Sequence, residues 1–157
     1  MGVFGERHGM QKLPLSKYPN TFFRVSLKAV IENDAGEVLC VQEAGSEWTL
    51  PGGGLDHGET VEQGLRRELF EEVALDPQAP FIMTPIGHDV MWVESREAWQ
   101  LWVLFRISFN QLPQFKRGAD ADDVSFIDPR IFAGSEWRAQ QLIYKWLVEA
   151  PHIDGVV

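Results

Sequence analysis

Three glutamates, Glu68, Glu71 and Glu72, stand within the run RRELFEEV (Arg66 to Val73) of a chain that already carries a formal net charge of −9. On a helix turning about 100° per residue they fall within an arc of roughly 100°, and Glu68 and Glu72 project close to the apolar residues Val61 and Leu65. The acids therefore lie beside the buried stripe, not opposite it. Glu68 and Glu72 form an i,i+4 like-charge pair, which costs roughly a few tenths of a kcal/mol in water and more where water is scarce. A positive partner is expected. Oxygen-only donors on one rigid element suit hard cations such as Mg²⁺ or Mn²⁺. A solvated helix face braced by Arg66 and Arg67 accounts for the cluster as well.

The residues just ahead of the acids bear on that choice. Gly52, Gly53 and Gly54 follow Pro51, so the backbone can turn sharply and approach a ligand with no Cβ in the way. A bare carbonyl there can reach a metal. Neither GxxxxGK[ST] nor GxGxxG is present, so no P-loop or dinucleotide fingerprint is supported. A plain tight turn explains three glycines in isolation but not the acids that follow them.

The elements that must position these groups can be read from periodicity. From Glu59 to about Leu75, Val61, Leu65, Leu69 and Val73 recur every four residues, which predicts a helix ended by Pro77. Before it, FFRVSLKAVIE alternates, with Phe23, Val25, Leu27, Ala29 and Ile31 on one side. The turn signal NDAG and the run EVLCVQE follow, predicting a hairpin. After the helix, FIMTPIGHDVMWV and WQLWVLFRISF read as strands around the turn ESREA, then an irregular stretch NQLPQFKRGADADD leads to a short apolar piece, VSFI. A last helix is expected to begin at Ser135 as N-cap, with Trp137, Leu142, Ile143, Trp146 and Leu147 as its apolar face. The fold class is therefore α/β, a sheet layered with helices. At 157 residues and 45% apolar, one domain is expected, residues 21–157, preceded by a tail or arm over 1–20.

Gly53 to Leu75, GGLDHGETVEQGLRRELFEEVAL, resembles the signature of the Nudix hydrolase family, Gx5Ex7REUxEExGU with U aliphatic. Gly53, Glu59, Arg67, Glu68, Leu69, Glu71, Glu72 and Leu75 match at the required spacing. Ala74 departs from the pattern: the family has Gly there, just past the helix, where a positive φ is easiest without a side chain. The resemblance implies a Nudix-like α/β/α sandwich with a mixed central sheet and a catalytic helix. It implies Glu68, Glu71 and Glu72 as ligands of Mg²⁺ or Mn²⁺, joined by the Gly52 carbonyl, with Asp123 as a further candidate ligand from a later loop. Arg67 and Glu59 are implied as an ion pair that orients the ligands, and Glu68 as first candidate for the base, with Glu72 beside it. The implied activity is Mg²⁺-dependent hydrolysis of the diphosphate in a nucleoside diphosphate linked to a group X. A non-catalytic nucleotide sensor on the same fold is the alternative, and the isomerase branch of the fold, which needs a catalytic Cys, ranks last.

The group X is not named by the sequence. Arg24 and Lys28 share one face of the first strand and are candidates for phosphate or base, while Trp92 and Trp102 are candidates for stacking on a base. Trp99 alternates with Leu101, Val103 and Phe105 and reads as core. Lys116 and Arg117 sit on a loop from Asn110 to Asp123 long enough to fold over a substrate. The single cysteine, Cys40, excludes an internal disulfide and a Cys-based zinc site, and its apolar surroundings argue against a nucleophile. The acidic balance argues against stable nucleic-acid binding. With no run of about 18 apolar residues and no basic segment followed by an apolar stretch, neither membrane association nor secretion is expected, so the expected location is the cytoplasm. A homodimer stays open.

Overall fold

A computed structural model describes residues 18, 19 and 22–150. The expected arm over 1–20 lies outside them except for Tyr18, whose ring stacks on Phe22 at 4.4 Å, and Pro19, whose carbonyl accepts from the Phe22 N–H.

Among the described residues, five strands and two α-helices run in the order β1 (Arg24–Val30), β2 (Val38–Gln42), α1 (Val61–Val73), β3 (Ile82–Val93), β4 (Ala98–Ser108), β5 (Asp123–Ile127) and α2 (Arg138–Tyr144). β4 is central, parallel to β1 on one side and antiparallel to β3 on the other, while β2 and β5 pair antiparallel. The expected hairpin of the first two strands is only partly formed. The chain does turn at Asn33–Glu37, with the Asn33 N–H bonded to the Glu37 carbonyl at 3.0 Å. β2 then meets the end of β1 through a single bridge, Glu32 to Val38, and continues into its ladder with β5.

β1 is buried on both faces, which the alternation of its sequence did not foretell. One side, with Leu27, Ala29 and Ile31, packs with Leu65, Leu69 and Val73 of α1 and with Phe105 and Ile107 of β4. The other, with Val30, joins Trp102, Leu104, Leu142 and Ile143, so α2 covers it. The result is the expected α/β/α sandwich around a mixed sheet. Burying each large aliphatic side chain in these layers contributes about 1.5–3 kcal/mol.

α1 begins at Thr60, whose side chain accepts from the Gln63 N–H while Gln63 bonds back to the Thr60 N–H, a reciprocal cap that satisfies two orphan donors. Its carbonyls at the other end are met by the irregular loop: the N–H groups of Lys116, Gly118 and Asp120 donate to the carbonyls of Val73, Glu72 and Glu71. The loop expected as a candidate cover for substrate is thus docked on the end of α1. α2 starts three residues after Ser135. Ser135 Oγ accepts from the Trp137 N–H, and Trp137, placed on the apolar face by periodicity, is 58% exposed. Leu142 and Ile143 are buried as expected, and Trp146 and Leu147 pack against the same cluster from a wider π turn, Lys145–Glu149.

Ala74 occupies the left-handed region with φ 53°, its N–H bonded to the Phe70 carbonyl. A Cβ in that region is strained. Ala74→Gly should therefore raise unfolding stability by about 1 kcal/mol. The check is a shift of the urea midpoint to higher concentration at unchanged slope.

Candidate active site

The segment Pro51–Leu55 lies along the free edge of β1. The Ala29 N–H donates to the Pro51 carbonyl at 2.9 Å, the Leu27 N–H to Gly53 at 2.8 Å, and the Leu55 N–H to Val25 at 3.0 Å. This pairing brings the glycines against the start of α1. At Gly52 φ is 122° and a Cβ would meet the Leu27 carbonyl oxygen at 2.1 Å, so the position takes no other residue without strain. The missing side chains of Gly53 and Gly54 leave room for the Glu68 carboxylate and the Arg24 guanidinium, which a Cβ would approach at 2.6 and 2.0 Å.

Arg67 is the centre of the acidic face. Its Nε and one terminal nitrogen bond the two Glu59 oxygens at 2.7 and 3.0 Å, the other reaches Glu68 at 2.7 Å and Glu71 at 3.2 Å, and a further bond of 3.0 Å ties it to the Gly54 carbonyl. Its hydrogen bond to Glu59 holds the Glu59 carboxyl down at about 2, and Glu59 in turn keeps the guanidinium charged far above neutral pH. Arg66 instead clamps the chain after α1, donating to the carbonyls of Pro77 and Ala79 with its guanidinium 3.9 Å from the Phe81 ring centre.

Glu72 has no such arginine. It is 2% exposed, and one carboxylate oxygen accepts from the Gly52 N–H at 2.6 Å. Burial is the largest influence on its carboxyl and contact with Glu43 the next, and together they push it up to about 9. Burial likewise raises Glu68 and lowers Lys28. The Lys28 ammonium donates to the carbonyls of Gly52 at 2.6 Å and Leu50 at 3.2 Å and lies 5.3 Å from the centre of the Trp102 ring system.

These groups line a pocket of about 200 Å³. Its acidic wall is Glu43, Glu68 and Glu72, and its donor wall is Arg24, Arg96 and Gln100, with Lys28 and the Gly52–Gly54 backbone between them. The Arg24 Nε is buried without a hydrogen-bond partner, and the Gln100 oxygen accepts from the Trp102 indole, which leaves the Gln100 amide hydrogens free to donate. A larger cleft of about 720 Å³, at Glu32–Ala35 and Arg106–Leu112, shares none of these lining residues.

Of the site residues expected from sequence, the fold brings Arg24, Lys28, Gly52, Glu68, Glu72 and Trp102 to the pocket, with Arg67 and Glu59 behind Glu68. Glu71 is turned to Arg67. Asp123 opens β5 opposite Gln42, its carboxylate accepting from the Val124 N–H. Trp92 packs edge-on against Trp99 at 5.8 Å and bonds Glu94, and Lys116 and Arg117 belong to the loop docked on α1. None of these last five lines the pocket. Cys40 is buried, and its thiol is pushed up to about 12 by burial, so it supplies no nucleophile.

Glu43, Arg96 and Gln100 were missed by sequence reasoning. Period-2 alternation carries the signal for Glu43: Leu39 and Val41 of β2 face the α1 layer, and the same face continues to Glu43. Arg96 sits in the turn Glu94–Arg96 and had no pattern to mark it.

The NUDIX domain family model matches residues 22–147. The chain belongs to the NUDIX domain family. It is 43% identical over 63 residues to an RNA pyrophosphohydrolase of Shewanella frigidimarina and 46% over 57 residues to one of Pseudoalteromonas atlantica. Those alignments cover 40% and 36% of this chain and 37% and 33% of the relatives, so the chain spans about a third of the length of the curated relatives it matches. Among solved structures it is similar to a MutT protein from Methanosarcina mazei Go1, with TM-score 0.66 and 18% identity, covering 87% of this chain and 96% of that one. It is also similar to the E. coli dihydroneopterin triphosphate pyrophosphohydrolase, with TM-score 0.64 and 20% identity over 82% and 99%. A third is the NUDIX domain of Shewanella oneidensis NrtR complexed with ADP ribose, at TM-score 0.60 and 22% identity over 82% and 91%. At these identities the structural likeness concerns the fold.

The Arg67–Glu59 pair has a definite pH signature. Glu59 titrates lower in the folded chain than its ordinary 4.5, so the stability it lends is complete above about pH 4.5 and is lost as pH falls through about 2. Glu59→Gln should accordingly lower the melting temperature at neutral pH, and the gap from the parent protein should close on acidification toward pH 2.

Proposed function

We propose that the pocket hydrolyses a diphosphate bond in a nucleoside diphosphate linked to a group X, with Mg²⁺ or Mn²⁺ as cofactor. The observation that carries the reading is the meeting of two unlike sets of groups in one small pocket: the carboxylates of Glu43, Glu68 and Glu72 and the donors of Arg24, Arg96 and Gln100. Carboxylates and a carbonyl are the donors hard divalent cations prefer. Burial and contact with Glu43 raise the Glu72 carboxyl, which marks a place that favours added positive charge. Among the described residues no group of three or more His, Cys, Asp or Glu side chains stands ready to hold a metal ion. Glu68 is engaged by Arg67, and the Gly52 carbonyl by Lys28.

Glu68 and Glu72, with Glu43, would hold the ion. When bound, it would neutralise the diphosphate and lower the pKa of an attacking water. The chain's own part is positioning and proton transfer. Arg24 and Arg96 bind phosphate oxygens, and the free amide hydrogens of Gln100 fix the same group from β4. Glu68, held at 2.7 Å by Arg67, is oriented to take the proton of the attacking water. Arg67 and Glu59 keep that carboxylate in place without touching substrate. The aromatic residue lining the pocket, Trp102, does not offer an open stacking face, being 2% exposed. Recognition of X through its phosphates therefore fits this pocket better than recognition through a base.

Glu72→Gln should reduce divalent-ion-dependent hydrolysis by on the order of 10²-fold or more while the circular dichroism spectrum is kept. Release of phosphomonoester or pyrophosphate products should be screened on nucleoside triphosphates, ADP-ribose, sugar nucleotides, dinucleoside polyphosphates and a 5′-triphosphorylated RNA oligonucleotide. Retention of full activity by the variant would refute the assignment. Nucleotide binding without release from any of these compounds would favour the sensor reading.

A further inference from the structure

Lys28 is unlike the other cations of the pocket. Arg24 and Arg96 stand on the donor wall, whereas Lys28 is 7% exposed and sits among the acids. Its ammonium spends two of its three hydrogens on backbone carbonyls, those of Leu50 and Gly52. Gly52 is used on both sides, since its N–H donates to Glu72 and its carbonyl accepts from Lys28. One residue, packed against the Leu27 carbonyl with φ 122°, thus links the ammonium to the most buried carboxylate of the site. The neighbouring carbonyls of the run are already taken, Gly53 by the Leu27 N–H and Gly54 by Arg67. Gly52 is therefore the one carbonyl of the three glycines that meets a mobile side-chain cation from the sheet, and Lys28 holds it at 2.6 Å.

A compact ammonium on two carbonyls beside three carboxyl groups satisfies the same electrostatic demand as a bound cation. It differs in being tethered to β1, whose backbone is fixed by its ladder with β4. Displacing it would strand a buried lysine away from its carbonyl partners in a layer closed by Trp102, at the desolvation cost of an unpaired charge. We propose that Lys28 is a built-in cation that holds the Gly52 carbonyl in place of a divalent ion, so that exchangeable metal is confined to the Glu68 side of the pocket. Lys28 then acts as a positioning residue: through Gly52 it fixes Glu72 and limits how many ions the site takes up. This inference rests on the divalent-ion reading given above.

The test is a titration of the full chain with Mn²⁺, counting bound ions from the loss of the free-ion paramagnetic resonance signal. Lys28→Met, close to lysine in length but uncharged, should bind one more Mn²⁺ per chain than the parent protein, and Lys28→Arg should not. An unchanged count in a folded Lys28→Met chain would overturn the inference. Anomalous diffraction from crystals of the parent protein grown with Mn²⁺ decides the matter independently of how the variants fold. Manganese on the acids with Nζ still on the Gly52 oxygen supports the assignment, and manganese within about 2.5 Å of that oxygen with Nζ moved aside rejects it. If the parent protein and both variants bind no Mn²⁺ at all, the divalent-ion reading itself fails, a result distinct from an unchanged count.

Discussion

Burial of like charge is the constraint around which this chain is built. Glu68, partly buried, and Glu72, buried, lie one turn apart on the face of α1 that packs toward β1, where water screens them poorly. Two basic residues answer the repulsion in different ways. Arg67, on the same helix, spreads its planar fork over Glu59, Glu68 and Glu71. Lys28, from β1, works through the Gly52 backbone and leaves the carboxylates of Glu72 and Glu43 facing one another. One acid is thereby locked in orientation, and a second is left short of positive charge.

The irregular parts of the chain serve the same site by satisfying backbone groups. The glycine segment zips onto the edge of β1, which makes its position relative to α1 as fixed as a strand in a ladder. The loop from Asn110 onward donates to the last carbonyls of α1, so the helix carrying the acids is held at both ends, by the Thr60–Gln63 cap and by this loop. A loop that supplies a helix cap has its backbone committed, and its lysine and arginine do not line the pocket.

Much of this was legible in the residue order because the relevant signals are local. Helical periodicity located α1 and its acid face, the resemblance to the family pattern implied the Glu59–Arg67 ion pair, and Ala74, where that pattern has Gly, has the positive φ that favours Gly. The long strands β3 and β4 and their turn fell within a residue of expectation. Where the reading departed, a local turn was responsible in one place and a long-range contact in another. Trp137 follows the period of α2, yet the bond from its N–H to Ser135 delays the helix and turns it to solvent. β1 alternates like a strand with one solvated face, yet α2 covers that face from the far end of the chain.

By itself the sequence determined the catalytic-type helix, the glycine turn before it and the family pattern they form, since helix phase and glycine's lack of a Cβ are properties of neighbouring residues. Only the tertiary structure decided which groups meet across the pocket. Glu43 reaches Glu72, Lys28 takes the Gly52 carbonyl, and Arg96 faces the acids because β1, β2, the β3–β4 turn and α1 converge there. Strand pairing and layer packing join residues far apart in the chain, and no local period encodes that convergence.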